Sequence, residues 1–135
     1  MPYISKMNTK LVMLASALVM AGVGLACTFL PHEILSAFGQ ADAAVPAVAL
    51  QLLGALYLGF AMLNWMAKAV LIGGIYARPL AMGNFLHFFV GAMALVKAVS
   101  ALPHPSLGWA LTAAYVVFAV LFGLICFRHP LKPNP

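Results

Sequence analysis

Residues 61–89, AMLNWMAKAVLIGGIYARPLAMGNFLHFF, join the end of one long apolar segment to the start of the next through a short basic loop. The loop carries Lys68, Gly73-Gly74 and Arg78-Pro79, and the flanking apolar runs carry Asn64, Asn84 and His87. Amide and imidazole groups inside hydrocarbon need partners, because no water is there to satisfy them. Two apolar helices meeting at a tight basic turn, each with polar residues near that turn, read as a transmembrane hairpin whose polar sides face protein.

The rest of the chain repeats the pattern. Of the 135 residues, 65% are hydrophobic and 7% charged, against about 25% charged in an ordinary soluble domain. A soluble fold of this size has no interior large enough for that much apolar surface. Runs of about 20 apolar residues cross a hydrocarbon core of roughly 30 Å, and the chain offers them at 11–30, 45–67, 79–100 and 106–127. The expected fold is all-α: a single membrane domain, an integral bundle of four transmembrane helices.

Residues 1–10 place Lys6 and Lys10 ahead of the first run. A basic start followed by an apolar stretch also fits a signal peptide; we read it as an uncleaved first span. After it, Pro31-His32-Glu33 ends the helix, and Ile34, Leu35 and Phe38 fall at helical spacing on a segment too short to cross, closed by Gly39. That segment is expected to lie in the interface. Residues 40–46 form a small-residue linker with Asp42. In the second span Gln51, Gly54, Tyr57, Ala61, Asn64 and Lys68 share one side at about 100° per residue, with Trp65 at the interface. Residues 69–78 are expected to form a compact turn, with the paired glycines supplying positive φ. The third span has an expected inward stripe of Asn84, His87, Gly91, Ala94 and Ala98, and the fourth of Trp109, Thr112, Tyr115, Ala119, Phe122 and Cys126.

Charge sets the expected orientation. With the N-terminus inside, Lys6, Lys10, Lys68, Arg78, Arg128 and Lys132 are cytoplasmic, and Lys97 is alone on the other side with Glu33 and Asp42. That is the positive-inside pattern, so both termini are expected in the cytoplasm, for a protein of the bacterial inner membrane. The net charge of +5 is spread over helix ends rather than gathered into a basic face with interleaved aromatics, which argues against nucleic acid and for anionic lipid headgroups as its counter-charge. Cys27 and Cys126 fall near opposite ends of the bundle, too far apart for a disulfide.

Depth decides which polar groups can meet. If the second and third spans are antiparallel neighbours, Asn64 and Asn84 lie level, His87 sits one turn deeper, and Tyr57 and Tyr115 lie near mid-bilayer. Asn64, Asn84, His87, Tyr57 and Tyr115 are therefore the candidate ligand-binding residues. Two roles are open to them: hydrogen bonds that fix helix register, or a polar pocket for the head of a lipid, quinone or similar amphiphile, since an intramembrane ionisable residue is a site by default.

Other chemistries have less support. His87 is the only histidine within a span, so paired axial ligation of a haem has no second ligand at matched depth. His32, His104 and Glu33 come from separate loops without metal-site spacing, and Met62 and Met66 have no cysteine or histidine beside them. No cofactor and no metal is expected. Neither Asp nor Glu lies inside a span, so a proton-coupled carrier lacks its carboxylate, and no nucleophile has a catalytic context. Small-residue pairs at four-residue spacing, Ala17/Ala21, Gly22/Ala26, Ala55/Gly59, Ala110/Ala114 and Ala119/Gly123, allow close helix packing within the bundle, in a homo-oligomer or against a membrane partner.

Pro31-His32-Glu33-Ile34-Leu35 through Phe38-Gly39, and Leu53-Gly54-Ala55-Leu56-Tyr57-Leu58-Gly59, carry a resemblance to the DoxX-like group of small bacterial four-helix membrane proteins. By architecture it covers most of the chain, by residue only these segments, and it implies the fold rather than an activity. The expected function is that of a non-enzymatic inner-membrane protein with an intramembrane polar pocket. The alternatives are an accessory subunit of a larger membrane complex and, third, a dimeric small-molecule exporter.

Overall fold

Each long apolar run becomes a helix, bounded where the sequence supplies a stop. A computed structural model describes residues 8–40, 43–69 and 78–127. Helix α1 is Thr9–Phe29, α2 is Pro31–Ala37, α3 is Ala44–Ala67, α4 is Arg78–Ala98 and α5 is Pro105–Phe127, with a 3-10 turn at Val99–Ala101 between the last two. The four long helices have the length and apolarity to cross a membrane, and α2 is the short helix expected after the first span. The compact turn with Gly73-Gly74 lies, from residue 70 to 77, outside the described residues, as do Asp42, Lys6 and the basic tail from Arg128.

Local chemistry places the boundaries. The Asn8 side chain accepts from Leu11 N–H at the start of α1, a polar N-cap. Pro31, Pro79 and Pro105 all fall in the first turn of their helices, where a missing N–H costs nothing. Helix α2 stops at Gly39, whose φ of +74° is the only positive value among the described residues. Gly39 N–H donates to Ser36 O and Gln40 N–H to Leu35 O, at 3.0 and 2.8 Å. This is the Schellman arrangement that turns the chain back with its last carbonyls satisfied. It returns α3 antiparallel to α1.

The helices pair as α1 with α3 and α4 with α5, and these two pairs then dock on one another. Sequence adjacency predicts α3 and α4 as close neighbours, but their backbones approach only thinly. The reason is side-chain size at each seam. Between α1 and α3 a methyl group added at Gly54 would sit 2.9 Å from Gly24 O and from Thr28 N, and one at Gly24 would sit 3.0 Å from Gly54 O. Only glycines permit that crossing. Between the two pairs the seam is filled instead by Met13, Met20, Phe88, Phe118 and Phe122. Phe88 stacks on Phe118 and Phe122 with centroids 4.9 and 5.9 Å away. This stack lies within the α4–α5 pair, and together with Met13 and Met20 of α1 its rings fill the space where the two pairs meet.

The buried faces correct several expected stripes. On α3, Gly54, Tyr57, Ala61 and Asn64 are buried as the pattern implies, but Gln51 is exposed. On α4 the buried residues are Ala81, Asn84, Phe88 and Ala92, one position round from the expected His87, Gly91, Ala94 and Ala98. The large Phe88 ring claims the centre of the bundle, so His87 turns to its edge. On α5 Thr112, Tyr115, Ala119 and Phe122 are buried, together with Gly108, Phe118 and Ile125, while Trp109 faces outward at 55% exposure. The close crossing at Gly24 and Gly54 uses none of the expected small-residue pairs, and Gly22 and Gly59 have no neighbour within 4 Å of an added methyl.

Candidate functional site

Four elements bring polar groups into the apolar interior, and the structure divides them into two parts. The first is an asparagine clasp. Asn64 on α3 and Asn84 on α4 are fully buried and exchange reciprocal hydrogen bonds: each Nδ2 donates to the other's Oδ1 at 2.7 Å. The expected level depth of these two residues is what allows the exchange. Asn84 Nδ2 donates also to Leu80 O at 3.0 Å, and Asn64 Nδ2 to Ser16 Oγ at 3.1 Å, with Met20 Sδ at 3.7 Å. Ser16 Oγ in turn donates to Met13 O at 2.9 Å. Every amide hydrogen is used. The clasp ties α1, α3 and α4 together where the two pairs touch only thinly, and its donors are all committed within the protein.

Ser16 was not among the expected site residues, although it is fully buried at the centre of this network. A signal was present: it is the only polar side chain in residues 11–26.

The second part is an aromatic cage around His87, one turn deeper than Asn84. His87 is half-buried. Its ring meets Tyr57 edge-on at 5.2 Å, stacks on Phe60 at 5.4 Å, and lies 5.0 and 5.6 Å from Phe88 and Tyr115. Tyr57 lies two turns before Asn64 on the same face of α3, about one turn deeper than His87, and its ring spans that step to meet the imidazole. Tyr115 reaches the cage from α5 because Gly91 has no side chain: an added methyl there would lie 2.7 Å from Tyr115 Cδ1. Tyr115 Oη is 3.4 Å from His87 Nε2, a long contact in which either the phenol or the ring N–H is the donor.

Unlike the clasp, this part is not saturated. Among the described residues His87 Nδ1 and Tyr57 Oη have no hydrogen-bond partner, and neither is sealed from the surface. The five expected site residues are thus all brought close together, but they separate into a closed pair and an open trio. Phe60 and Phe88 are additional cage walls that an apolar stretch gives no cause to single out.

His104 lies against Phe38 at 6.4 Å, and among the described residues no three His, Cys, Asp or Glu side chains gather where a metal could be held. Lys68 caps the α3 end with its Nζ 3.2 Å from the centre of the Trp65 ring, a cation–π contact at the level expected of an interfacial tryptophan. No protein-family model matches the chain, and no curated protein or solved structure matches it. What the fold defines is a class, the bundle of four membrane-spanning helices.

Proposed function

We propose that the protein is a non-enzymatic bacterial inner-membrane protein that holds the polar head of a small amphiphile, a lipid or a quinone-like molecule, in the cage formed by His87, Tyr57 and Tyr115. The observation that carries this is the unsatisfied polarity of the cage: an imidazole nitrogen and a phenol that have no hydrogen-bond partner among the described residues, inside a segment where hydrocarbon makes such vacancies costly. A carbonyl or hydroxyl from a ligand would give the His87 nitrogen a partner, and the surrounding rings would pack on its apolar body. The basic residues support an orientation with the end bearing Lys10, Lys68 and Arg78 in the cytoplasm and Lys97 opposite. The DoxX-like resemblance agrees with this architecture and adds no ligand.

The closure of the asparagine clasp favours a second reading, an accessory subunit whose polar residues serve only internal packing. Mass spectrometry of molecules retained by the purified protein separates the two. The His87→Phe variant keeps an aromatic ring in the cage and removes both nitrogens. It is expected to keep the wild-type unfolding midpoint and to retain about tenfold less amphiphile, the effect of one lost hydrogen bond of roughly 1.4 kcal/mol. Equal retention by both proteins, or none by either, supports the subunit reading.

A further inference from the structure

On the side of α4 away from His87, a groove of about 730 Å³ runs between α4 and α5. Its floor is made of small residues, Ala92, Ala119 and Gly123, and its inner end is closed by Phe85, Phe89 and Phe127. At the other end stands Lys97, the only charge among the described lining residues. From Phe85 to Lys97 the helix rises about 18 Å at roughly 1.5 Å per residue. One leaflet contributes about 15 Å of hydrocarbon, so the groove has the length of a single acyl chain. Trp109 lies two turns before Val116 on the groove face of α5 and is exposed, placing an interfacial aromatic on the same face of the bundle as the lysine.

We propose that this groove is a binding site for an anionic phospholipid, one acyl chain lying along Ala92, Ala119 and Gly123 and the phosphate paired with Lys97. A cation at the mouth of an otherwise apolar channel matches a molecule with an anionic head and an apolar tail. A second copy of the chain matches it poorly. A two-fold interface sets a patch against itself, which would bring two Lys97 side chains to a lining whose described residues include no carboxylate. The site is separate from the His87 cage and stands or falls independently of it.

Native mass spectrometry of the full chain in mild detergent tests this, with phosphatidylglycerol and phosphatidylcholine of identical acyl chains as probes. One phosphatidylglycerol is expected to stay bound about fivefold more strongly than phosphatidylcholine, the contribution of one lysine near the headgroup. Lys97→Ala should abolish that preference and Lys97→Arg preserve it. Met93→Trp and Val120→Trp, at rim positions 52% and 56% exposed, should fill the groove and remove the bound lipid while circular dichroism stays unchanged. Equal retention of the two lipids, or an unchanged preference in Lys97→Ala, would show only ordinary boundary lipid and overturn the proposal. A wild-type dimer that Val120→Trp converts to monomer would assign the groove to a second copy and overturn it as well.

Discussion

Replacing Asn64 with leucine is expected to lower the unfolding free energy by about 2–3 kcal/mol, measured by equilibrium unfolding in mixed micelles. The substitution removes both halves of the reciprocal pair with Asn84 and the bond to Ser16. It also leaves the Asn84 amide facing an apolar side chain at zero exposure, and a stranded buried polar group costs more than a hydrogen bond gains. The same logic makes the double variant Asn64→Leu/Asn84→Leu milder than the sum of the two singles, with a coupling of about 1–2 kcal/mol. Strict additivity would mean that the two amides do not share their bonds, and the clasp would have to be abandoned.

Gly54→Val should be comparably damaging, by about 3 kcal/mol, for a steric reason. Its Cβ would meet Gly24 O and Thr28 N at 2.9 Å. Both are backbone atoms inside a helix and have nowhere to move, so α1 and α3 must separate. Gly59→Val, about one and a half turns further along the same helix at a position with no neighbour within 4 Å, is the matched control and should be close to neutral. The pair of variants separates a packing effect from the general cost of changing a helical glycine. If both change the unfolding midpoint equally, the crossing at Gly24 and Gly54 is not what holds this helix pair.

The four spans, the short second helix and its Gly39 stop were legible because apolar length, prolines and one glycine mark them directly. The level placement of Asn64 and Asn84 followed from counting residues to either side of a turn. Which helices pair was not legible, because sequence adjacency points to α3 and α4, whereas seam distance is set by the size of side chains that face each other. Gly24 opposite Gly54 across the close α1–α3 seam is such a pair, and nothing along the sequence announces the partner. The rotation of α4 has the same origin. A polar stripe through His87 ignores the claim of Phe88 on the centre, and in a uniformly apolar helix a single large ring outweighs a histidine. Ser16 could have been found by asking which side chain in the first span was not apolar.

The division of labour between a closed clasp and an open cage can be tested at the level of residues by photocrosslinking. A membrane-permeant amphiphile bearing a diazirine next to its polar head, followed by peptide mapping, reports which side chains the head approaches. Label concentrated on Tyr57, Phe60, His87 and Tyr115, and diminished in His87→Phe, is the predicted result. Label spread evenly over the lipid-facing Leu52, Leu56 and Leu63, and unchanged by that substitution, would contradict the assignment of the His87 cage as a binding site.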